Sequence, residues 1–111
     1  MTNAAPSAAA ACLLGERNGF RWYHVDNPKG PALDELAAQF GLHELSIEDC
    51  RNQRQRAKLE EYEGHLFVIF NSIHFNPEKQ ECWFREIDFF VGKDFLVSVR
   101  EGPTPSRTVA A

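Results

Sequence analysis

The 111-residue chain carries a formal net charge of −4, a pI near 5.5, 43% hydrophobic residues and 25% charged residues. That length allows one domain, since domains commonly span roughly 50 to 250 residues, and the composition is that of a chain that folds around a modest core. The acidic balance argues against a dedicated nucleic-acid binder, which shows a basic domain.

Taken in order, residues 1–7 read as a flexible end. The longest apolar run, Ala8 to Leu14, is far short of the roughly 20 residues of a membrane helix. No Lys or Arg precedes it, as a secretory leader would require. Glu16-Arg17-Asn18-Gly19 has turn composition, and Phe20 to Val25 resumes with strand-forming aromatics. A first hairpin is expected there, with Trp22 and Val25 in the core. Asp26 to Pro31 stops the strand with an Asn, Pro and Gly cluster. Leu33, Leu36, Ala37 and Phe40 then share one helix face, and Gly41 supplies the stop. Leu42, Leu45 and Ile47 start a second short helical segment, from which the chain is expected to emerge at Glu48-Asp49.

Lys58 to Tyr62 passes as a strand with Leu59 inward, broken at Gly64. The run Leu66-Phe67-Val68-Ile69-Phe70 is apolar on both faces, which predicts a central strand covered on each side. After a turn at Asn76-Pro77-Glu78-Lys79, Cys82 to Val91 and Phe95 to Val99 form a last strand pair through Gly92-Lys93-Asp94. Ile87, Phe89 and Val91 fall on one face, and Phe95, Val97 and Val99 alternate similarly. The expected fold class is α+β (α/β layered), a mixed β-sheet with helices packed on it. Residues 8–101 form the domain, and 102–111 have Pro- and Ser/Thr-rich linker composition.

The chemistry concentrates between Phe40 and Phe70. Glu48 and Asp49 are adjacent carboxylates, followed by Arg51, Arg54, Arg56 and Lys58 and then by Glu60, Glu61 and Glu63. One or two carboxylates with retained waters suit Mg²⁺, while a charge run of this kind ordinarily marks a solvated face. The basic residues could contact phosphate, yet the surrounding carboxylates weaken that attraction; the preferred account is a cluster positioning the helix end against the strand. The widely spaced Cys12, Cys50 and Cys82 form no CxxC pair. His24, His43, His65 and His74 show no zinc-ligand spacing. A small hydrolase using Glu48, Asp49 and a histidine would lack a nucleophile motif or phosphate loop, so no enzyme is expected.

The segment FGLHELSIED (Phe40 to Asp49), then Asn52 with QRAKLEEY (Gln55 to Tyr62), then the apolar strand, resembles the amino-terminal soluble domain of the CorA family of magnesium and cobalt transport proteins. WYHVDNP (Trp22 to Pro28) and FFVGKDFLVSV (Phe89 to Val99) are similar to flanking segments of that domain. The likeness runs in order from Trp22 to Arg100. Glu44 and Ala57 depart from it, standing where the family usually has proline.

The resemblance implies a CorA soluble-domain-like fold and the cytoplasmic regulatory, Mg-sensing domain of a divalent-cation transporter. Members are pentameric channels, so partners would be other subunits of a homo-oligomer and the divalent cation, with no nucleic acid. Contact with the cell (inner) membrane would come only through missing C-terminal segments, because the pore and its Gly-Met-Asn motif are absent from a chain whose one methionine is Met1. Asp49 matches the family's regulatory intersubunit Mg²⁺ ligand, with Glu48 beside it. The partner carboxylate lies elsewhere, so Mg²⁺ (possibly Co²⁺) binding by the isolated domain is expected to be weak or absent. The alternative is a free-standing soluble protein-interaction domain derived from that family.

Overall fold

A computed structural model describes residues 11–52 and 55–101. The expected flexible end 1–7 and linker 102–111 lie outside the described residues, as does Arg54. The elements are β1 (Ala11–Arg17), β2 (Phe20–Val25), α1 (Pro31–Phe40), α2 (Glu44–Arg51), β3 (Lys58–Tyr62), β4 (His65–Asn76), β5 (Glu81–Gly92) and β6 (Phe95–Val99). The six strands form one sheet in the order β1-β2-β6-β5-β4-β3. Among the described residues only β2 and β6 pair parallel; the other neighbours are antiparallel. The fold is α+β, with both helices in the crossover that leaves β2.

Local chemistry accounts for the boundaries. Asn18 and Gly19 both take positive φ (53° and 84°), the pairing that a two-residue hairpin turn demands. Gly41 closes α1 in the left-handed region, its N–H returning to the Ala37 carbonyl, as a helix C-cap does. The helices lie on one face of the sheet. Leu33, Leu36, Ile47 and Cys50 pack against Tyr23, Val25, Phe67, Ile69, Phe90, Val97 and Val99, all buried. At one end the Phe40 ring stacks on Phe95, with centroids 4.3 Å apart.

Several expectations change. Val25 is buried, but Trp22 is 39% exposed and Tyr23 takes the core position. Trp22 and Val25 are an odd number of residues apart, and alternation sends them to opposite faces. Leu59 points outward, 62% exposed, while Lys58, Glu60 and Tyr62 are half-buried on the helix side. The Leu66–Phe70 run is covered on one face only: Phe67 and Ile69 are buried, but Phe70 is exposed. Ile87, Phe89 and Val91 lie on that same open face, opposite the face of Phe95, Val97 and Val99, as the β5–β6 register requires. Helix α2 does not release the chain at Glu48-Asp49 but continues to Arg51, with Leu45 outward.

A Cβ on Gly92 would run into the buried Phe95 ring, whereas one on Gly15 would meet nothing within 4 Å. Gly92→Ala is expected to lower stability by about 2 kcal/mol, in the range of core overpacking. Gly15→Ala should stay within about 0.5 kcal/mol. Urea denaturation of the two variants checks this.

Candidate metal site on the second helix

Helix α2 is short and fixed at both ends. At its start, the His43 side chain accepts a hydrogen bond from the Leu45 N–H through Nδ1 at 3.0 Å, which satisfies one of the helix's free donors. The Ser46 hydroxyl donates to the His43 carbonyl at 2.6 Å. At its end, the Asn52 N–H reaches the Glu48 and Asp49 carbonyls. The inward face is Ser46, Ile47 and Cys50, all buried.

Consecutive helical residues project about 100° apart, so Glu48 and Asp49 cannot point the same way. Glu48 is exposed on the lip of a shallow, open depression of about 810 Å³ also lined by Lys29, Asp34, Glu44, Leu45 and Arg51. Asp49 turns toward β3, where Lys58 Nζ lies 2.9 Å from its Oδ2. This contact is the first cause of a raised Lys58 pKa, and Glu60, 3.6 Å away, adds to it. A cation at Asp49 would therefore have to displace an ammonium. Among the described residues, no group of three or more His, Cys, Asp or Glu side chains is placed to hold a metal ion. The structure keeps the two candidate ligands on one helix but does not bring a third to them.

The basic run divides by role. Arg51 Nε donates to the Pro28 carbonyl at 2.8 Å, and its Nη2 reaches the Gly30 carbonyl and Asp34 Oδ1 at 3.4 and 2.9 Å. It thereby ties the end of α2 to the turn that opens α1. Gln55 donates to the Asp49 and Asn52 carbonyls at 2.7 and 2.8 Å, and its own N–H is held by Glu86 at 2.9 Å. Lys58 ties α2 to β3. Arg56 is exposed. The expected positioning of the helix end against the strand thus holds for Lys58, while Arg51 ties the helix end to the turn before α1 and to α1 instead.

Sequence reading missed the interior of this region. Cys50 is fully buried and hydrogen-bonded to the buried Asp88 of β5; burial first, then the carboxylates of Asp88 and Glu86, push its thiol well up. Such a thiol is inert, because the thiolate is the reactive form. His65 is buried too, with Nε2 3.2 Å from Ser46 Oγ. The alternation His65, Phe67, Ile69 could have revealed it as inward; the His43 cap had no comparable signal.

A family model described as CorA-like Mg²⁺ transporter protein matches residues 17–110. The chain is 35% identical over 92 residues to a putative metal ion transporter, YfjQ, of Bacillus subtilis, covering 81% of this chain and 28% of that protein. It is 29% identical over 70 residues to the magnesium transporter ALR2 of Saccharomyces cerevisiae, covering 63% of this chain and 8% of that protein. In structure it is similar to the soluble domain of CorA from Methanocaldococcus jannaschii (TM-score 0.55, 15% identity, 76% of this chain and 32% of that one). It is also similar to the ZntB cytoplasmic domain from Vibrio parahaemolyticus (TM-score 0.58, 16% identity, 80% and 36%). The chain spans less than a third of the length of these sequence relatives.

Arg51→Ala removes three donations from one guanidinium and leaves the carbonyl of the buried Pro28 without that partner. The expected cost is about 2 kcal/mol in urea denaturation, since hydrogen bonds to charged groups contribute about 1.5–3 kcal/mol. Arg51→Lys should recover less than half of it, because an ammonium lacks the planar fork.

Proposed function

The chain belongs to the CorA-like Mg²⁺ transporter protein family, and on that premise we propose that it is the cytoplasmic part of a longer divalent-cation transporter, with α2 as a cation-responsive contact between subunits. The observation that carries this reading is the outward placement of Glu48 beside the half-exposed Asp49. A neighbouring copy can reach both without unfolding anything. A divalent cation shared between copies would displace Lys58 from Asp49 and favour the arrangement in which the copies are joined. Binding changes that equilibrium only to the extent that affinity differs between the joined and separated states. One or two carboxylates with retained waters can hold Mg²⁺, but the isolated chain offers it an aspartate already paired with a lysine, so its affinity there is weak.

The second reading, a free-standing interaction domain, is favoured by the open face of the sheet. Leu14, Trp22, Leu59 and Phe70 are 39–62% exposed there, around the half-buried Val68, Ile87, Phe89 and Leu96. A large exposed apolar surface marks an interaction site. In the transporter reading, the remaining length of the longer polypeptide covers it. No helix among the described residues is long and apolar enough to cross a membrane.

Native product size separates the two. An antibody raised to this domain should detect a band in the membrane fraction of the source cells well above 12.6 kDa; a soluble band at that mass would favour the free-standing domain. In the full-length product, Mg²⁺ should protect the domain from proteolysis. Asp49→Asn should raise the half-protecting concentration about tenfold, a coupling within the usual 5- to 150-fold range. An unchanged midpoint in both Asp49→Asn and Glu48→Gln would overturn the cation-responsive role of α2.

A further inference from the structure

Three rings form a column at the start of α2. His43 stacks on Tyr62 with centroids 4.7 Å apart, and Tyr62 stacks on His65 at 5.3 Å. His65 is 5% exposed and lies 6.0 Å from the Phe90 ring. The hydrogen bonds fix its tautomer. A serine hydroxyl has one proton, and Ser46 gives its proton to the His43 carbonyl. Ser46 Oγ can then only accept from His65, so Nε2 carries the imidazole proton. Nδ1 is left as the enclosed, unprotonated nitrogen, with no hydrogen-bond partner among the described residues.

His43 is constrained in the complementary way. Its Nδ1 accepts from the Leu45 N–H and must keep its lone pair to do so. His43 therefore caps the first turn of α2 only as a neutral ring, whereas His65 keeps its Nε2–H bond to Ser46 in either state and is disfavoured as a cation by its enclosed Nδ1, partnerless among the described residues. A proton added to His65 would create a buried N–H with no acceptor. A proton added to His43 would set N–H against N–H and place positive charge at a helix N-terminus, the end that already carries partial positive charge.

We propose that His43 and His65 form a proton-operated latch on the N-terminus of α2, so that acidification releases the first turn of the helix that carries Glu48 and Asp49.

The surrounding charges do not oppose this. From β3, Tyr62 faces both rings with its hydroxyl donating to Glu60 at 2.9 Å, and Lys58 lies between Glu60 and Asp49. From β5 the neighbour is the uncharged Phe90. From α2 it is Ser46, with Glu44 exposed beside His43 in the chain; Glu63, in the β3–β4 turn, is also exposed. Burial first, and the charge of His43 second, hold the His65 pKa below its ordinary 6.5. The unfolded chain therefore takes up this proton first as pH falls. The support from the neutral ring is full above pH 6.5 and declines as pH drops through that value toward the lower folded one. His24 is lowered in the same direction, mainly by burial, so global acid stability cannot isolate the latch and the readout has to be local.

The test is amide hydrogen exchange of this chain, as protection factors, between pH 7.5 and 5.5. Protection at Leu45, Ser46 and Ile47 should fall about fivefold relative to the amides of β2 and β6, the loss expected from one N-cap. His43→Asn supplies a cap that does not titrate in this range, and His65→Phe keeps the ring column without an ionisable group. Each variant should remove part of the fall, and the double variant all of it. In the unmodified chain, the NMR titration of the His65 ring protons should share its midpoint with the shift of the Leu45 amide, a readout that does not depend on the variants folding. Flat wild-type protection, an undiminished fall in the double variant, or unrelated midpoints would overturn the latch. The readout is the helix itself, so the latch can fail while the cation reading stands, and the reverse.

Discussion

The parallel pairing of β2 with β6 is the constraint on which the rest depends. Five residue pairs, from Arg21 with Phe95 to Val25 with Val99, join the two ends of the described chain. Backbone bonds from Arg21 to the Asp94 carbonyl and from Arg100 to the Val25 carbonyl, each 3.1 Å, extend the contact at both ends. Parallel neighbours cannot be joined by a tight turn and need a crossover. Everything between Val25 and Phe95 is that crossover: both helices and the antiparallel run β3-β4-β5. The pairing sets Tyr23, Val25, Val97 and Val99 side by side beneath α1, where the core is deepest. Such distant partners must close a long loop before their contacts repay its entropy.

The same sheet explains the uneven surface. Its strands are apolar on both faces, the pattern of a sheet between two layers, yet α1 and α2 cover one. On the open face Ser98 is the shared partner of two side chains. Trp22 Nε1 donates to Ser98 Oγ at 3.0 Å, and the same hydroxyl lies 2.8 Å from His24 Nδ1. His24 Nε2 in turn sits 3.2 Å from Asp26. A buried serine in mid-sheet is thus hydrogen-bonded, and around it the face is largely apolar, with Glu61, Arg85 and Arg100 among its charged residues. The open face does not define its occupant, but it does require one if the sheet is to be shielded from water.

Most of the element order was legible because it rests on local chemistry: Asn18-Gly19 for the hairpin, Gly41 for the helix end, and the Leu33, Leu36, Ala37, Phe40 spacing for α1. Facing was harder. Leu59 looks like a core residue by hydrophobicity alone, but the register pairing Leu59 with Val68 puts it on the open face, while Lys58 turns to the helix side to meet Asp49, with Glu60 beside it. Strand alternation decides the face only once the partner strand is known. The candidate site was legible as far as Glu48 and Asp49 being adjacent on a short helical segment, and no further. That the two diverge follows from helix geometry, but that Lys58 occupies one of them depends on β3 folding back beside α2, which no local pattern announces.

Helix α2 has eight residues, too few for an isolated helix to persist in water, so the positions of Glu48 and Asp49 are set by tethers rather than by helix propensity. Arg51 holds one end through three acceptors on the turn before α1 and on α1 itself; His43 and Ser46 hold the other through the side-chain cap and the hydroxyl bond to the His43 carbonyl; Lys58 and Gln55 bind the side toward β3. None of these contacts is apolar, and several lie within reach of solvent, so each responds to charge or protonation in a way the core beneath it does not. Ile47 and Cys50 keep the helix seated on the sheet while its ends are adjusted. A short helix anchored by packing and aimed by polar tethers is an element whose carboxylates can be moved by a change worth only one or two hydrogen bonds, without disturbing the β2–β6 ladder on which the fold rests.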